Sequence, residues 1–213
     1  MAAPDPSTSD FVKVGFDKVN FFVMFPTFTA AFTIPGILGG VAAFYHKSSA
    51  VQKVELVADY SLGPLYVAMF LVRIIFSFIQ SNLADARRNT GINVPDQHAY
   101  KVVTGSAAGS LVLMDDEGAF GRFNRAQRGV QNVWENVFPL SIEVVLTGLV
   151  FPWTVAGLLC LFALLRAKAS ISYAEKGRMA RISGNMASNI CGASIAGLTL
   201  AIGVYATHLE LAK

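Results

Sequence analysis

The chain has 213 residues, 54% of them hydrophobic and 15% charged, with a mean hydropathy of +0.50, whereas a soluble domain carries roughly a quarter charged residues. That composition excludes a soluble globular enzyme, a disordered segment and a secreted disulfide scaffold. The net charge of +3 is small, and no interleaved basic and aromatic patch of the kind that binds nucleic acid is present.

Residues 1–18 read as a solvated tail, because Met1 to Asp10 holds two acids, two prolines and no Arg, unlike a signal or transit peptide. Residues 19–46 then run without a charge except at His46, and a helix crosses a bilayer with about 20 apolar residues. A first span over 19–45 follows. Pro26, Pro35 and the glycines at 36, 39 and 40 predict a kinked helix, with a broken or re-entrant segment as the alternative. A linker to residue 60 precedes a second span over 61–83, whose one charge is Arg73.

The connection over 84–121 is polar at both ends and Gly-rich in the middle. A third helix is predicted over 123–149, a fourth over 154–174 after the Phe151-Pro152-Trp153 turn, and a fifth over 184–208. The fold class is all-α integral membrane. The organisation is a tail (1–18), an added helix with its linker (19–60) and a four-helix membrane domain (61–213). Cys160 and Cys191 fall inside apolar runs, where a thiol packs as a small hydrophobe.

Membrane proteins concentrate Lys and Arg in cytoplasmic loops. With five crossings, thirteen of the 17 Lys and Arg fall on the side of the tail, the 84–121 loop and the 166–183 loop, against three on the other side. The N-terminus and both long loops are therefore expected on the cytosolic or equivalent face, with the C-terminus opposite. The absence of a recognisable presequence leaves the endoplasmic reticulum and other organellar membranes open.

In the third helix, Arg125, Arg128, Asn132, Glu135 and Phe138 recur in steps of three or four and so share one face. Ionisable residues at membrane depth cost about 2.5 to 3.5 kcal/mol each on insertion scales unless a cavity or partner receives them. The fourth helix offers a matching edge, Arg166, Ser170, Tyr173 and Gly177, toward the same end. Arg125 and Arg128 alone are equally consistent with snorkelling to lipid phosphates. Arg128, Asn132 and Glu135 together point to a basic, partly buried site for a small anionic ligand with carboxylates, which Arg grips in bidentate fashion. Such a site, with an apolar flank, suits one water-soluble and one membrane-dissolved reactant.

Besides this stripe, Arg73 and Glu143 are the charges at mid-membrane depth, and a structural ion pair between them is expected. On the fifth helix, Gly184, Ser188, Gly192 and Ala196 recur every four residues and let helices approach closely. His46, His98 and His208 show no metal-ligand spacing, so no metal is expected.

The stretch FNRAQRGVQNVWE resembles the membrane-associated proteins in eicosanoid and glutathione metabolism, and within that family the type 3 microsomal glutathione transferases and leukotriene C synthase. The family signature, Arg-Ala-His/Gln-x-Asn-x-x-Glu followed by Pro, is matched at Arg128, Asn132, Glu135 and Pro139. Ala86, Arg87, Arg88 and Pro95 match the run that ends the family's first helix, and Pro152, Arg166 and Tyr173 keep the later spacing. The resemblance covers roughly residues 62–205 and leaves the first helix as an addition.

It implies a homotrimer that binds glutathione as co-substrate at the cytosolic face. Arg87, Arg128, Asn132, Glu135, Arg166 and Tyr173 would hold the tripeptide, and an arginine at the start of the last helix would stabilise its thiolate. Arg181 is the better match for that arginine and Arg178 the alternative. Departures are Gly129-Val130 in place of the Ala-His/Gln pair, and Ala169 where a second binding tyrosine is expected. The implied activity is a membrane glutathione transferase or peroxidase acting on lipophilic electrophiles or lipid hydroperoxides delivered from the bilayer lipids. The alternative is a catalytically inactive lipid-binding or structural subunit of a larger membrane assembly.

Overall fold

The computed structural model describes residues 10–13, 15–45, 49–88, 90–92, 98–105 and 109–211. Most of the predicted tail, residues 1–9, lies outside the described residues, as do His46, Lys47, Pro95 and Lys213.

A short helix α1 (Asp10–Lys13) and a 3-10 turn (Phe16–Lys18) lead into α2 (Phe21–Ala31), whose first turn is capped by the Asn20 side chain accepting from Phe22 N at 3.0 Å. Polar groups of the next long helix hold this entry. Arg88 donates to the carbonyls of Asp17 (2.7 Å) and Val19 (2.5 Å), and Ser81 Oγ donates to Phe21 O at 2.8 Å. Phe21 itself is buried beneath the Arg88 guanidinium, 5.0 Å from its ring centre.

The first span is broken, not merely kinked: α2 stops at Ala31, turns at Phe32–Thr33, and resumes as α3 (Ile34–Tyr45). Pro35 has no N–H to give the preceding turn, and Thr33 Oγ1 bonds back to Ala30 O at 2.6 Å. The two pieces together still form one candidate span over Phe21–Ala43. Where a linker was predicted, α4 (Ser49–Asp59) forms, since SAVQKVELVAD holds no Gly or Pro to interrupt a helix.

The bundle is built from α5 (Gly63–Arg87), α6 (Gly118–Gly148), α7 (Pro152–Lys176) and α8 (Ile182–Leu211). Pro64 and Pro152 sit in first turns, where a missing N–H costs nothing. Three of the four, α5, α7 and the stretch containing α8, are long and apolar enough to cross a membrane. α6 is too polar for that measure, yet it lies along its neighbours. Arg122 bonds Asp85 of α5 (2.7 Å) and Glu175 of α7 (2.6 Å) near one end, and Gly148 meets Leu65 at the other. These ends are called the polar and the far end below.

An all-α chain was expected, and the connection before α6 departs from it. β1 (Tyr100–Gly105) and β2 (Gly109–Met114) form an antiparallel hairpin with Tyr100 opposite Met114 and Gly105 opposite Gly109. Its base is clamped by the buried Asn124, whose amide accepts from Ala99 N (2.8 Å) and donates to Ala99 O (2.8 Å) and Asp115 O (2.7 Å). Outside the membrane, a hydrogen bond from Lys101 holds the Asp116 carboxyl below the ordinary carboxylate range.

The core runs through the bundle as an aliphatic layer at the far end, where Ala68, Val144, Val155, Phe162 and Ile195 pack with Cys191, and smaller layers around Ile79 and Phe123 nearer the polar end. The expected Arg73–Glu143 pair is not formed. Arg73 is exposed on α5 and lines the cavity against α2, whereas Glu143 opens into grooves beside α8. Buried Leu140 and Phe162 stand between them.

Candidate functional site

The site is assembled at the polar end by the α7–α8 turn. Gly177 ends α7 with φ 82° and ψ −168°, a conformation essentially reserved for glycine. The chain then makes one 3-10 turn, Arg178–Arg181, before α8 begins. This reversal lays the Arg181 guanidinium over the Tyr173 ring, 4.3 Å from its centre, a cation–π arrangement. Arg178 is exposed.

Asn132 of α6, Arg166 and Tyr173 of α7, and Arg181 line one narrow cleft, with Gly129, Ala169 and Ser170 as its close-packed walls. Its enclosed volume is only about 10 Å3, room for about one water. Gly129 and Ala169, two of the positions that depart from the family pattern, lie in these walls. A Cβ at Gly129 would come within 3.3 Å of Ser170, and one at Gly184 within 2.9 Å of the Ala169 Cβ. Small residues at 129, 169 and 184 therefore bring α6 and α8 tightly onto α7, and a tyrosine at 169 would not fit this packing.

Arg166 carries the unusual electrostatics. It is 5% exposed, and its guanidinium donates to Asn185 Oδ1 at 3.2 Å and Asn189 Oδ1 at 2.6 Å, stands 5.4 Å from the Phe162 ring centre, and leaves Nε buried without a hydrogen bond. No carboxylate pairs with it among the described residues. It also lines a second groove of about 340 Å3 that runs toward the far end past Asn136, Asn189 and Glu143. Sequence reading missed Asn185 and Asn189, which hold this arginine from one side of α8.

The other predicted site residues lie apart from the cleft. Arg128 and Glu135 pair with each other on the outer face of α6 at 2.9 Å, both about half exposed, and Arg128 also donates to Gln131 at 3.4 Å. They form a rim beside Asn132. Arg87 is buried at the end of α5, 4.6 Å from the centre of the Phe123 ring, and donates to Ile92 O at 3.3 Å. Arg125, on the predicted stripe, donates to Ala174 O (3.2 and 3.1 Å) and Asp116 O (2.8 Å). It therefore closes the C-terminus of α7 onto the hairpin.

The model of the family described as the MAPEG family matches residues 65–201, the stretch that holds the bundle and all of these residues. The chain belongs to the MAPEG family. No curated protein matches the chain, and no solved structure does. The MAPEG match begins inside α5 and leaves α2 and α3 outside it. Membership implies a lipid setting and a glutathione- or eicosanoid-related role. Among the described residues no group of three His, Cys, Asp or Glu is placed to hold a metal ion.

Proposed function

We propose that the protein is a membrane glutathione transferase or peroxidase whose glutathione site lies at the polar end, between Arg166, Tyr173 and Arg181 on one side and the Asn132–Arg128–Glu135 rim on the other. The observation that carries this reading is the buried Arg166, a cation compensated only by amide oxygens and a ring face. A charge in that setting favours an anion, and a carboxylate offers the geometry a guanidinium binds best. The narrow cleft admits part of a tripeptide at most, so the rest would lie along the exposed rim. That placement suits a site completed by a neighbouring subunit of a homotrimer.

In this reading Asn132 and Tyr173 orient the ligand. Arg181 places a positive charge near the cysteine sulfur of glutathione, whose free thiol has a pKa of about 8.5, and so populates the thiolate at neutral pH. The sulfur then bonds to an electrophilic carbon of a lipophilic substrate, either expelling a leaving group as its anion or adding to an activated double bond or epoxide whose displaced electron pair takes a proton from water. With a lipid hydroperoxide it attacks the terminal oxygen, and a second glutathione completes reduction to the alcohol, water and glutathione disulfide. The charge asymmetry supports a cytosolic position for this end, in an endoplasmic reticulum or other organellar membrane. Ala169, locked against Gly184, favours a second reading in which the pocket no longer binds glutathione and the chain is an inactive lipid-binding or structural subunit.

Equilibrium dialysis of glutathione against the detergent-purified chain separates the two. Saturable binding by the natural chain, weakened about 10- to 100-fold in Arg166→Leu as expected for a lost charged hydrogen bond, supports the enzyme reading. Absence of binding at millimolar glutathione rules it out.

A further inference from the structure

The helix α4, between the added span and the bundle, is tethered closely at both ends. Its C-terminus is locked by a turn in which Ser61 N donates to Ala58 O and Leu62 N to Val57 O, each at 2.8 Å, with Ser61 in the left-handed region at φ 54°. This is the bonding of a Schellman turn. Val57 and Leu62, which such a turn brings together, are both half-buried. Residues 60–62 alone separate α4 from α5, and residues 46–48 alone separate it from α3, so either connection reaches about 15 Å at full stretch.

Both tethers leave the membrane through one face. The candidate span formed by α2 and α3 starts beside Ser81 at the polar end and runs to the far end, and α5 starts at the far end, where Leu65 packs on Gly148. A helix the length of α4 measures about 16 Å. Standing upright, it would pull one tether to full stretch, whereas lying flat it leaves both slack. The exposed rings of Tyr45, Tyr60, Tyr66 and Trp153 gather at this same end, and tyrosine and tryptophan settle where membrane meets water.

The sequence of α4, SAVQKVELVAD, is patterned for that position. Val51, Val54, Val57 and Ala58 follow steps of three and four and fall within an arc of about 120° centred on Val54. Gln52, Glu55 and Asp59 lie on the other side, Lys53 on the flank, and Leu56 is the one large apolar residue outside the arc. Val54, at the centre of the apolar arc, is 45% exposed. The principal contact of α4 is with α3, and the bundle does not cover the arc.

We propose that α4 is an interfacial helix lying in the headgroup layer of the leaflet at the far end, with Val51, Val54, Val57 and Ala58 turned toward the acyl chains. Zwitterionic lipid is the occupant of this face. One lysine against two carboxylates gives α4 a net charge of −1, which does not attract acidic headgroups, so the apolar face carries the binding. A second copy or another protein would have to displace lipid from a face that two short tethers hold at the membrane surface. The anchored α4 also sets the level of α3, which it contacts. The inference rests on the membrane setting of the chain and is independent of glutathione binding.

The test uses the full chain with Cys160→Ser and Cys191→Ser, reconstituted in phosphatidylcholine vesicles, with helix content checked by circular dichroism. An environment-sensitive fluorophore is attached at Val54→Cys or at Gln52→Cys. At 54 the emission should be blue-shifted and quenched about twofold or more by lipids carrying a nitroxide near the headgroup, as expected for an apolar face buried about 5–10 Å into the interface. At 52 it should be water-like and quenched by iodide supplied on both sides of the vesicle. Should either chain fail to fold, Ala58→Cys and Asp59→Cys make the same comparison. Adding Val54→Asp to Ala58→Cys should turn the emission at 58 water-like. Iodide quenching alike at both positions, or an emission at 58 indifferent to Val54→Asp, overturns the proposal. A label at 54 shielded from iodide and from the lipid nitroxide alike would give the face to protein and overturn it as well.

Discussion

Arg166 is held by two asparagines and a phenylalanine ring, and its Nε has no acceptor. Removing such a group differs in sign from removing half of an ion pair, because no opposite charge is left stranded and the desolvation cost of the guanidinium disappears. Arg166→Leu is therefore expected to keep or raise the thermal midpoint of the detergent-solubilised chain while weakening glutathione binding. A lower midpoint would make Arg166 a structural residue. The spacing of Arg128, Asn132 and Glu135 was legible in the sequence because a helix repeats every three or four residues. The partner of Glu135 was not: it is Arg128 itself, two turns back. Asn185 and Asn189 were hidden among the small residues of α8, where only the packing against α7 shows that the row beside them is polar for a reason. Arg87 was assigned to the ligand from the resemblance, and in the single chain it lies against Phe123, outside the cleft.

At the level of elements, the long helices announced themselves by length and hydropathy, and their ends moved by a few residues, as with α6 beginning at Gly118 instead of near 123. The hairpin was not legible. Its strands, YKVVTG and GSLVLM, are six residues each and lie in a Gly-rich connection, and what holds them is Asn124, on a helix that reads as pure site. Replacing Asn124 with Ala removes three hydrogen bonds at the base of the hairpin and takes the side-chain partner from part-buried Ala99 N and Asp115 O, while Ala99 O keeps its bond from Asp115 N, a loss of about 1–3 kcal/mol at most for each group left unsatisfied. Limited proteolysis of Asn124→Ala should cut faster within 98–115, with the bundle intact. An unchanged cutting rate would mean that Asn124 is not the clamp. The α7–α8 turn offers a second test, since Gly177→Ala forces a Cβ into a backbone region that costs about 1–3 kcal/mol. The expected result is weaker glutathione binding with unchanged helix content, because Arg181 is displaced from Tyr173. Unaltered binding would separate the turn from the site.

For the whole molecule, the helices α5 to α8 carry the MAPEG match, and the broken helix α2–α3, which lies outside it, leans on α5 through Phe21, Ser81 and Arg88. The number of apolar stretches and the polar face of α6 were readable because the bilayer imposes a length and a cost on each. Which charges meet across the bundle was not readable, because Arg73 and Glu143 have opposite signs and nearly matching depths but lie on different faces, and face depends on packing that no single helix encodes. The same limit applies to the proposed glutathione site, where the chain supplies a cleft of about 10 Å3 and an exposed rim. In the proposed trimer, the rest of the ligand is held by surface that meets a neighbour.

The reading stands on Arg181 acting on a bound thiol, and ultraviolet difference absorbance on adding glutathione to the purified chain tests it most directly. A thiolate band at neutral pH that is present in the natural chain, retained in Arg178→Ala and lost in Arg181→Ala is the predicted result. Glutathione that binds with no thiolate band, or a band indifferent to Arg181→Ala, would contradict it.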